Sequence, residues 1–287
     1  MTTTTVKSNG YYVFKKKTLP KIWIALKIIL GLLFISPVLV GFLFSFVPNH
    51  LLNGLPSLSQ IFGNLTLDNY KWVLGYVPVL RYLLNTLIVC AATVCSSTIL
   101  SCMAGYAFAC FEFKAKAFLF NLILVAMMIP ADVTVITNYL NVQKWGMVNT
   151  YPGLFITMLV GGTAIFMMRQ YFLQLPKDIK EAAVMDGCGH MRFLLQIGIP
   201  MAIPTISALA ITEFIGVYNR YFWPMLIAQT KEMQTIQIGM AMLVDVETAN
   251  YGNILAGAMI CIIAPVIVFL IAEDYIIKGM TAGAVKG

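Results

Sequence analysis

Charge is what this sequence has least of. Only 11% of its 287 residues are Asp, Glu, Lys or Arg, less than half of the roughly 25% found in soluble domains. A water-soluble fold of this length could not cover its core with so little polar surface. Recognisable reaction chemistry is missing as well. No Gly-Lys dipeptide occurs, so there is no phosphate loop of the G-x-x-x-x-G-K-[ST] type. There is no His-Glu-x-x-His, no Gly-x-Ser-x-Gly and no Cys-x-x-Cys. The two histidines, His50 and His190, are too few and too far apart for a metal cage. The chain is therefore expected not to be an enzyme, and to bind neither a cofactor nor a metal itself.

What it has instead is apolar length: 60% of residues are hydrophobic and the mean hydropathy is +0.84. Four of the six cysteines, Cys90, Cys95, Cys102 and Cys110, lie inside one apolar run and fit core packing. This is the composition of an integral membrane protein. A bilayer core about 30 Å thick needs about 20 apolar residues of helix. Six stretches qualify, near Ile22–Val47, Tyr82–Phe111, Ala117–Leu140, Tyr151–Leu175, Met201–Ala228 and Gly252–Ile277. The first follows Lys15, Lys16 and Lys17 as a signal peptide would, but it is too long and lacks a small-residue cleavage site, so it reads as an anchor. The fold class expected is all-α, a polytopic bundle of six transmembrane helices. Its parts are a tail over 1–21, a transmembrane domain over 22–277 and a second tail over 278–287.

An even number of spans puts both termini on one side. With the termini inside, fourteen Lys and Arg fall in inner segments and five, Lys71, Arg81, Lys144, Arg220 and Lys231, in outer ones. That orientation obeys the positive-inside rule and its opposite does not. The net charge of +7 then serves topology and lipid headgroups, and nucleic acid is not an expected partner. Without a hydrophobic drive between helices in lipid, close packing falls to small residues. Ser97, Ser101, Gly105 and Ala109, four apart on the second span, predict either packing within the bundle or contact with a second membrane subunit. Gly252 with Ala256 and Gly257 with Cys261 do the same on the sixth. Pro37, Pro130, Pro200, Pro204, Pro224 and Pro265 interrupt the spans, as membrane helices tolerate where neighbours satisfy the freed carbonyls.

Between the fourth and fifth spans, about 176–200, lies a segment that is neither membrane-like nor a plain loop. Pro176 suits a first helical turn, and Ile179, Ala182, Ala183 and Asp186 follow at i, i+3, i+4 and i+7. Gly187 and Gly189 interrupt at the position of a C-cap, and a second short amphipathic piece, His190 to Ile199, leads into Pro200 and the fifth span. Two short helices joined at a glycine would form a knob outside the membrane.

Glu181-Ala182-Ala183, three residues, Gly187, nine residues, then Ile197-Gly198-Ile199-Pro200 resembles the EAA loop of bacterial ATP-binding-cassette importer permeases, with Ile199 where Leu is usual. Phe166 to Phe172, Leu175-Pro176, Asn219 to Met225 and the tail Lys278 to Gly287 resemble the same group. Over roughly 20–287 the chain is similar to the second permease of the carbohydrate-type importers, which include the maltose and glycerol-3-phosphate systems. It departs at Cys188-Gly189, where Ala-Ser is usual, and at Tyr218, where a Trp is. The resemblance implies a second permease subunit, a cytoplasmic ATPase dimer carrying ATP and Mg, and an extracytoplasmic solute-binding protein, in a bacterial cytoplasmic membrane with both termini cytoplasmic. It also implies that Glu181, Ala182, Ala183, Asp186, Gly187, Ile197 and Pro200 couple the permease to the ATPase. Glu181 would make a charge-assisted bond, Ala182 and Ala183 would permit close approach, and Gly187 would hold a shape that a Cβ opposes.

Glu213 falls near the middle of the fifth span, where a charge costs a few kcal/mol and marks a functional-site candidate. Arg220, seven residues on, shares its helix face, and Asp132 follows Pro130 in the outer half of the third span. Asp132, Glu213, Asn219 and Arg220 either line a translocation path or pair with a partner permease. Residues 48–81, with Leu65 to Tyr70, resemble the segment that meets the solute-binding protein, and 229–251, with Lys231, Glu232, Asp245 and Glu247, read as a second external hydrophilic loop. The solute expected is a sugar or oligosaccharide, with glycerol 3-phosphate or a related polyol phosphate as the alternative. An ion-coupled transporter using Glu213 and Asp132 is the rival class.

Overall fold

The computed structural model describes residues 19–54, 56–244 and 250–282, and among them every regular element is a helix. We label the main ones α1 (Leu19–Phe44), α2 (Val79–Cys110), α3 (Lys116–Met127), α4 (Ala131–Lys144), α5 (Gly162–Gln174), α6 (Lys177–Met185), α7 (Ile199–Tyr218), α8 (Phe222–Ile227) and α9 (Tyr251–Ala282). Four helices are long and apolar enough to cross a membrane: Lys21–Phe44, Val79–Cys110, His190–Tyr218 and Tyr251–Glu273. Tyr151–Met158 and Gly162–Gln174 are together long and apolar enough for a fifth crossing among the described residues, but they meet at 50°, the geometry of a broken span or of a re-entrant loop.

The expected third span is not one helix. It is divided at Pro130, whose φ of −59° and ψ of 134° start α4 anew, because a proline pushes the residue before it out of the helical region. The pieces hold 12 and 14 residues, about 18 and 21 Å at 1.5 Å per residue. Residues 1–18 and 283–287, most of the first tail and half of the second, lie outside the described residues.

The chain forms two compact units, Met1–Val73 with Val246–Met259, and Leu74–Asp245 with Ile260–Gly287. In the first, α1 is exposed along nearly its whole length, and its C-terminal end is tied by amides. Asn69 donates to the carbonyls of Ser45 and Val47 at 2.8 and 2.9 Å. Asn49 donates to the Asn253 carbonyl oxygen at 3.1 Å and accepts from the Gly252 N–H at 2.8 Å. A Cβ on Gly252 would meet the Asn69 amide at 2.5 Å, so the glycine expected for helix packing serves this clasp.

In the second unit α2 and α5 make the most extensive helix pairing among the described residues. Ser97, Ser101 and Gly105 are buried there, so the small-residue stripe packs within the chain. A Cβ on Gly105 would stand 2.6 Å from that of Met168 and 2.8 Å from the Arg169 nitrogen; the two backbones touch. The expected loop over 229–251 is only partly a loop. Ile236–Val244 is a helix with four buried residues, and Gly239 in it lies against Tyr82 and Val77. These nine residues, apolar but for Gln237, make about 14 Å of helix, too short to span but preferring burial to water. Asn85 holds its approach by donating to the carbonyls of Glu232 and Gln234, both at 2.8 Å.

The touching backbones predict opposite outcomes for one substitution at two sites. Gly→Ala in a helix gains about 0.5–1 kcal/mol from propensity, whereas overpacking costs about 1–3 kcal/mol. Gly31, with nothing within 4 Å of its absent Cβ, should accept Ala with an unchanged or raised unfolding midpoint in detergent. Gly105→Ala should lower that midpoint.

Candidate functional site

The knob is one short helix closed by a glycine turn and followed by a continuous run into α7. α6 begins after Pro176 and ends in a glycine turn: the Gly187 N–H donates to the Val184 carbonyl at 3.0 Å and the Cys188 N–H to that of Ala183 at 2.8 Å. This is a Schellman closure, with Gly187 at φ 68° in the left-handed region that disfavours a Cβ. Space is not the constraint, because nothing lies within 4 Å of where that Cβ would be. The knob's second half is not a separate helix. His190–Phe193 runs through a π-turn at Leu194–Gly198 into α7, and the Ile199 N–H donates back five residues to Leu194. Pro200 has no N–H to give, and the widened turn lets the helix pass it unbroken.

The seven residues expected to couple this segment to a partner divide by exposure. Glu181, Ala182, Asp186, Gly187 and Pro200 are exposed. Ala183 is buried with Tyr106, Phe172, Leu175 and Phe193, and Ile197 packs on the same cluster. Ala183 therefore seats α6 on its own bundle and has no surface left for a partner. The inward face of α6 is Ile179 and Ala183, while Ala182 and Asp186, expected to share it, face outward. Beneath the knob, Tyr106 meets His190 Nδ1 at 3.1 Å, its ring lies edge-on to Phe172 at 5.4 Å, and Lys180 donates to the Phe172 carbonyl at 3.3 Å. Sequence reasoning missed the tip's apolar component: Val184 is 69% and Met185 86% exposed, two apolar side chains beside Glu181, which makes no ion pair among the described residues. Counting α6 positions outward from Ala183 would have found them.

Two of the four intramembrane candidates meet in a cleft. Glu213 and Arg220, with Thr93 and Thr157, line a space of about 210 Å³. They do not share a helix face: α7 ends at Tyr218, so Arg220 lies beyond it and Glu213 five residues before its end. One carboxylate oxygen accepts from Ser97 at 2.5 Å. The other, and the Thr93 hydroxyl, are buried without a partner among the described residues. Such groups mark a place where water or a hydrogen-bonding solute completes the set. A second cleft of about 380 Å³ shares Thr157 and Arg220 and adds Thr134 and Asn138 from α4. Asn219 lines neither cleft; it accepts from Gln237 at 3.4 Å. The side chain of Asp132 lies outside the described residues, as do Asp245 and Glu247. Ser97 was legible only as a small residue, although Thr93 and Ser97 at i and i+4 already place two hydroxyls on one face of α2.

The outer segments differ from plain solvated loops. Asn69 is buried and Tyr70 bonds Ser45 at 2.7 Å, while Leu65 and Leu67 are exposed. Lys231 and Glu232 are exposed. The Glu232 carboxyl is held below its usual range by its own backbone N–H and the Thr230 hydroxyl, so it keeps its charge on that surface.

Residues 97–281 match the family described as binding-protein-dependent transport system inner membrane component. The arabinooligosaccharides transport system permease protein AraQ of Halalkalibacterium halodurans is 33% identical over 282 residues, covering 95% of this chain and 100% of that protein. The sn-glycerol-3-phosphate transport system permease protein UgpE of Brucella melitensis is 31% identical over 235 residues, covering 78% of this chain and 83% of that one. A chain from the crystal structure of a bacterial ABC transporter involved in the import of the acidic polysaccharide alginate superposes with a TM-score of 0.74 at 20% identity, over 91% of this chain and 96% of that chain. This last likeness speaks to the fold alone. A glycine-closed knob on an apolar helical bundle, together with family and relatives matching over most of its length, makes this chain a member of the inner membrane components of binding-protein-dependent transport systems.

Proposed function

We propose that the chain is one of two membrane-spanning subunits of an importer that moves an oligosaccharide into the cytoplasm, driven by ATP and Mg bound on a separate ATPase dimer. The observation that carries this reading is the knob tip. Apolar side chains exposed outside the apolar spans call for a protein cover, and Val184 and Met185 stand beside Glu181, which makes no ion pair among the described residues and is suited to a charge-assisted bond. A push on the tip reaches His190–Tyr218 through the cluster around Tyr106. Glu213 lies 23 residues along that helix, about 35 Å from His190, so a movement begun at the knob ends in the polar cleft. The exposed length of α1 supports a second permease and lipid as neighbours, and the exposed outer segments support an external solute-binding protein.

Similarity along the whole of the arabinooligosaccharide permease supports a saccharide as solute. A polyol phosphate is the second reading, because the Arg220 guanidinium has no partner among the described residues and the glycerol-3-phosphate permeases are also relatives. Reconstituting the assembled importer in vesicles with its binding protein tests both. Arabino-oligosaccharides should stimulate ATP hydrolysis, and glycerol 3-phosphate should do so under the second reading. Uptake that needs no ATPase subunit and collapses with an uncoupler while ATP remains would instead establish ion coupling through Glu213.

Two substitutions probe the two ends of the lever. The left-handed conformation costs a non-glycine residue about 1–2 kcal/mol, least for Asn. Gly187→Asn should therefore retain most solute-stimulated ATP hydrolysis, and Gly187→Val should lose it while the complex still purifies intact. Glu213→Gln keeps an acceptor for Ser97 but removes the charge. It should change the KM or turnover of uptake with complex yield unaltered; dissociation of the purified complex would assign Glu213 to subunit pairing.

A further inference from the structure

We propose that the connection between α2 and α3 holds the phosphate headgroup of an anionic membrane phospholipid. This goes beyond the transport reading and does not depend on which solute is moved. The residues between Cys110 and Lys116 follow the end of α2, a helix long and apolar enough to cross the membrane, and lead into the shorter apolar helix α3, which places them at headgroup level. There Lys116, Asn121 and Arg169 border a cleft of about 500 Å³ together with Glu112 and Phe118. Arg169 is posed rather than loose: its Nε donates to the Phe108 carbonyl at 3.3 Å and its guanidinium lies over the Phe120 ring at 4.1 Å. Its two terminal nitrogens, four N–H donors, take no partner among the described residues, and they share the cleft with the Asn121 amide. Lys116 donates to the Phe111 carbonyl at 2.8 Å and to Glu112 at 3.0 Å, which leaves one of its three N–H groups. Two cations against one carboxylate give the cleft a positive balance, and a planar guanidinium fork suits phosphate oxygens.

The same geometry supplies a place for acyl chains. Phe118, Leu122 and Val125 lie at i, i+4 and i+7 on α3, exposed by 67, 54 and 57%. This apolar stripe begins at the cleft and runs away from it along the helix axis. A diacyl phosphate lipid matches both features, a charged head over Arg169 and Lys116 and tails along α3. Inorganic phosphate matches only the first, and an acidic protein segment gains nothing from the stripe.

The test uses the assembled importer in nanodiscs of phosphatidylcholine containing phosphatidylglycerol, re-extracted and washed, with retained lipid counted by mass spectrometry. Each basic residue near an anionic surface contributes about a fivefold change in affinity. Lys116→Gln should reduce retained phosphatidylglycerol about that much, and Glu112→Gln should raise it. Glu112 is 90% exposed at its side chain, whereas Lys116 is only 20% exposed and bonded to the Phe111 carbonyl, so the unfolding midpoint of Lys116→Gln is measured beside its lipid retention and should be unchanged. Arg169→Gln should reduce retention at least as far, and Arg169→Lys should restore only part of it. Equal retention in the Lys116 and Glu112 variants would overturn the proposal, as would an importer that retains no phosphatidylglycerol at all. Displacement of the lipid by inorganic phosphate alone would overturn it in favour of a free-phosphate site.

Discussion

At Gly105 the backbones of α2 and α5 come within the reach of a single methyl group, and much of the second unit hangs on that approach. α5 continues from the contact to Phe172 and Leu175, and these two buried side chains form the seat on which Ala183 rests. A larger residue at 105 would move α5 outward and take the seat with it. Because lipid provides no hydrophobic drive for helix pairing, this close approach and its dispersion contacts must hold the bundle. The same turn of α5 carries Arg169, whose nitrogen is one of the atoms Gly105 faces. Bundle packing and the arrangement at the headgroup cleft thus share one point of contact.

Rigidity at the knob comes from two backbone devices rather than from many side-chain bonds. The glycine turn at 187 closes α6 with two hydrogen bonds that need a left-handed residue. The π-turn at Leu194–Gly198 carries the helix past Pro200, where an ordinary turn would have set the proline ring against the carbonyl four residues back. Broken at Pro200, the chain would let a displacement of the tip dissipate in a hinge. Carried through, the helix runs without a break from His190 to the far end of α7, as the proposed coupling requires. Pro130 shows the alternative: with no such accommodation there, the expected span divides into α3 and α4.

These two prolines mark the boundary of what the sequence made legible. Apolar length located four membrane-length helices, and spacing located the knob, because both are local properties of consecutive residues. Pro37, Pro204 and Pro265 lie inside continuous helices, Pro200 follows a π-turn and Pro130 starts a new helix, and no count of apolar residues tells these outcomes apart. Ala183 and Ala182 are chemically identical and adjacent, yet one is buried and the other exposed; only the bundle beneath them decides which. Ile236–Val244 was hidden for a similar reason, since a short, mostly apolar run between polar residues looks like a loop until Asn85 and Tyr82 give it a wall. Glu213 was found by its charge, but its setting was not: Ser97 and Thr93 are 116 and 120 positions away in sequence, and Arg220 joins them through a bend rather than a helix face.

That setting bears on which solute the proposed path would favour. The free oxygen of Glu213 is enclosed, whereas Arg220 lies past the helix end and is exposed. An ionised carboxylate facing a phosphate at about 6 Å costs about 3 kcal/mol at an effective dielectric near 20. The compensating attraction to Arg220 acts partly through water, where the same separation yields less than about 1 kcal/mol. A neutral saccharide meets neither term, and its hydroxyls can donate to the free carboxylate oxygen and exchange bonds with Thr93 and Thr157. Because burial separates Glu213 from Arg220 in the cleft, this arrangement supports the proposed saccharide over the polyol phosphate.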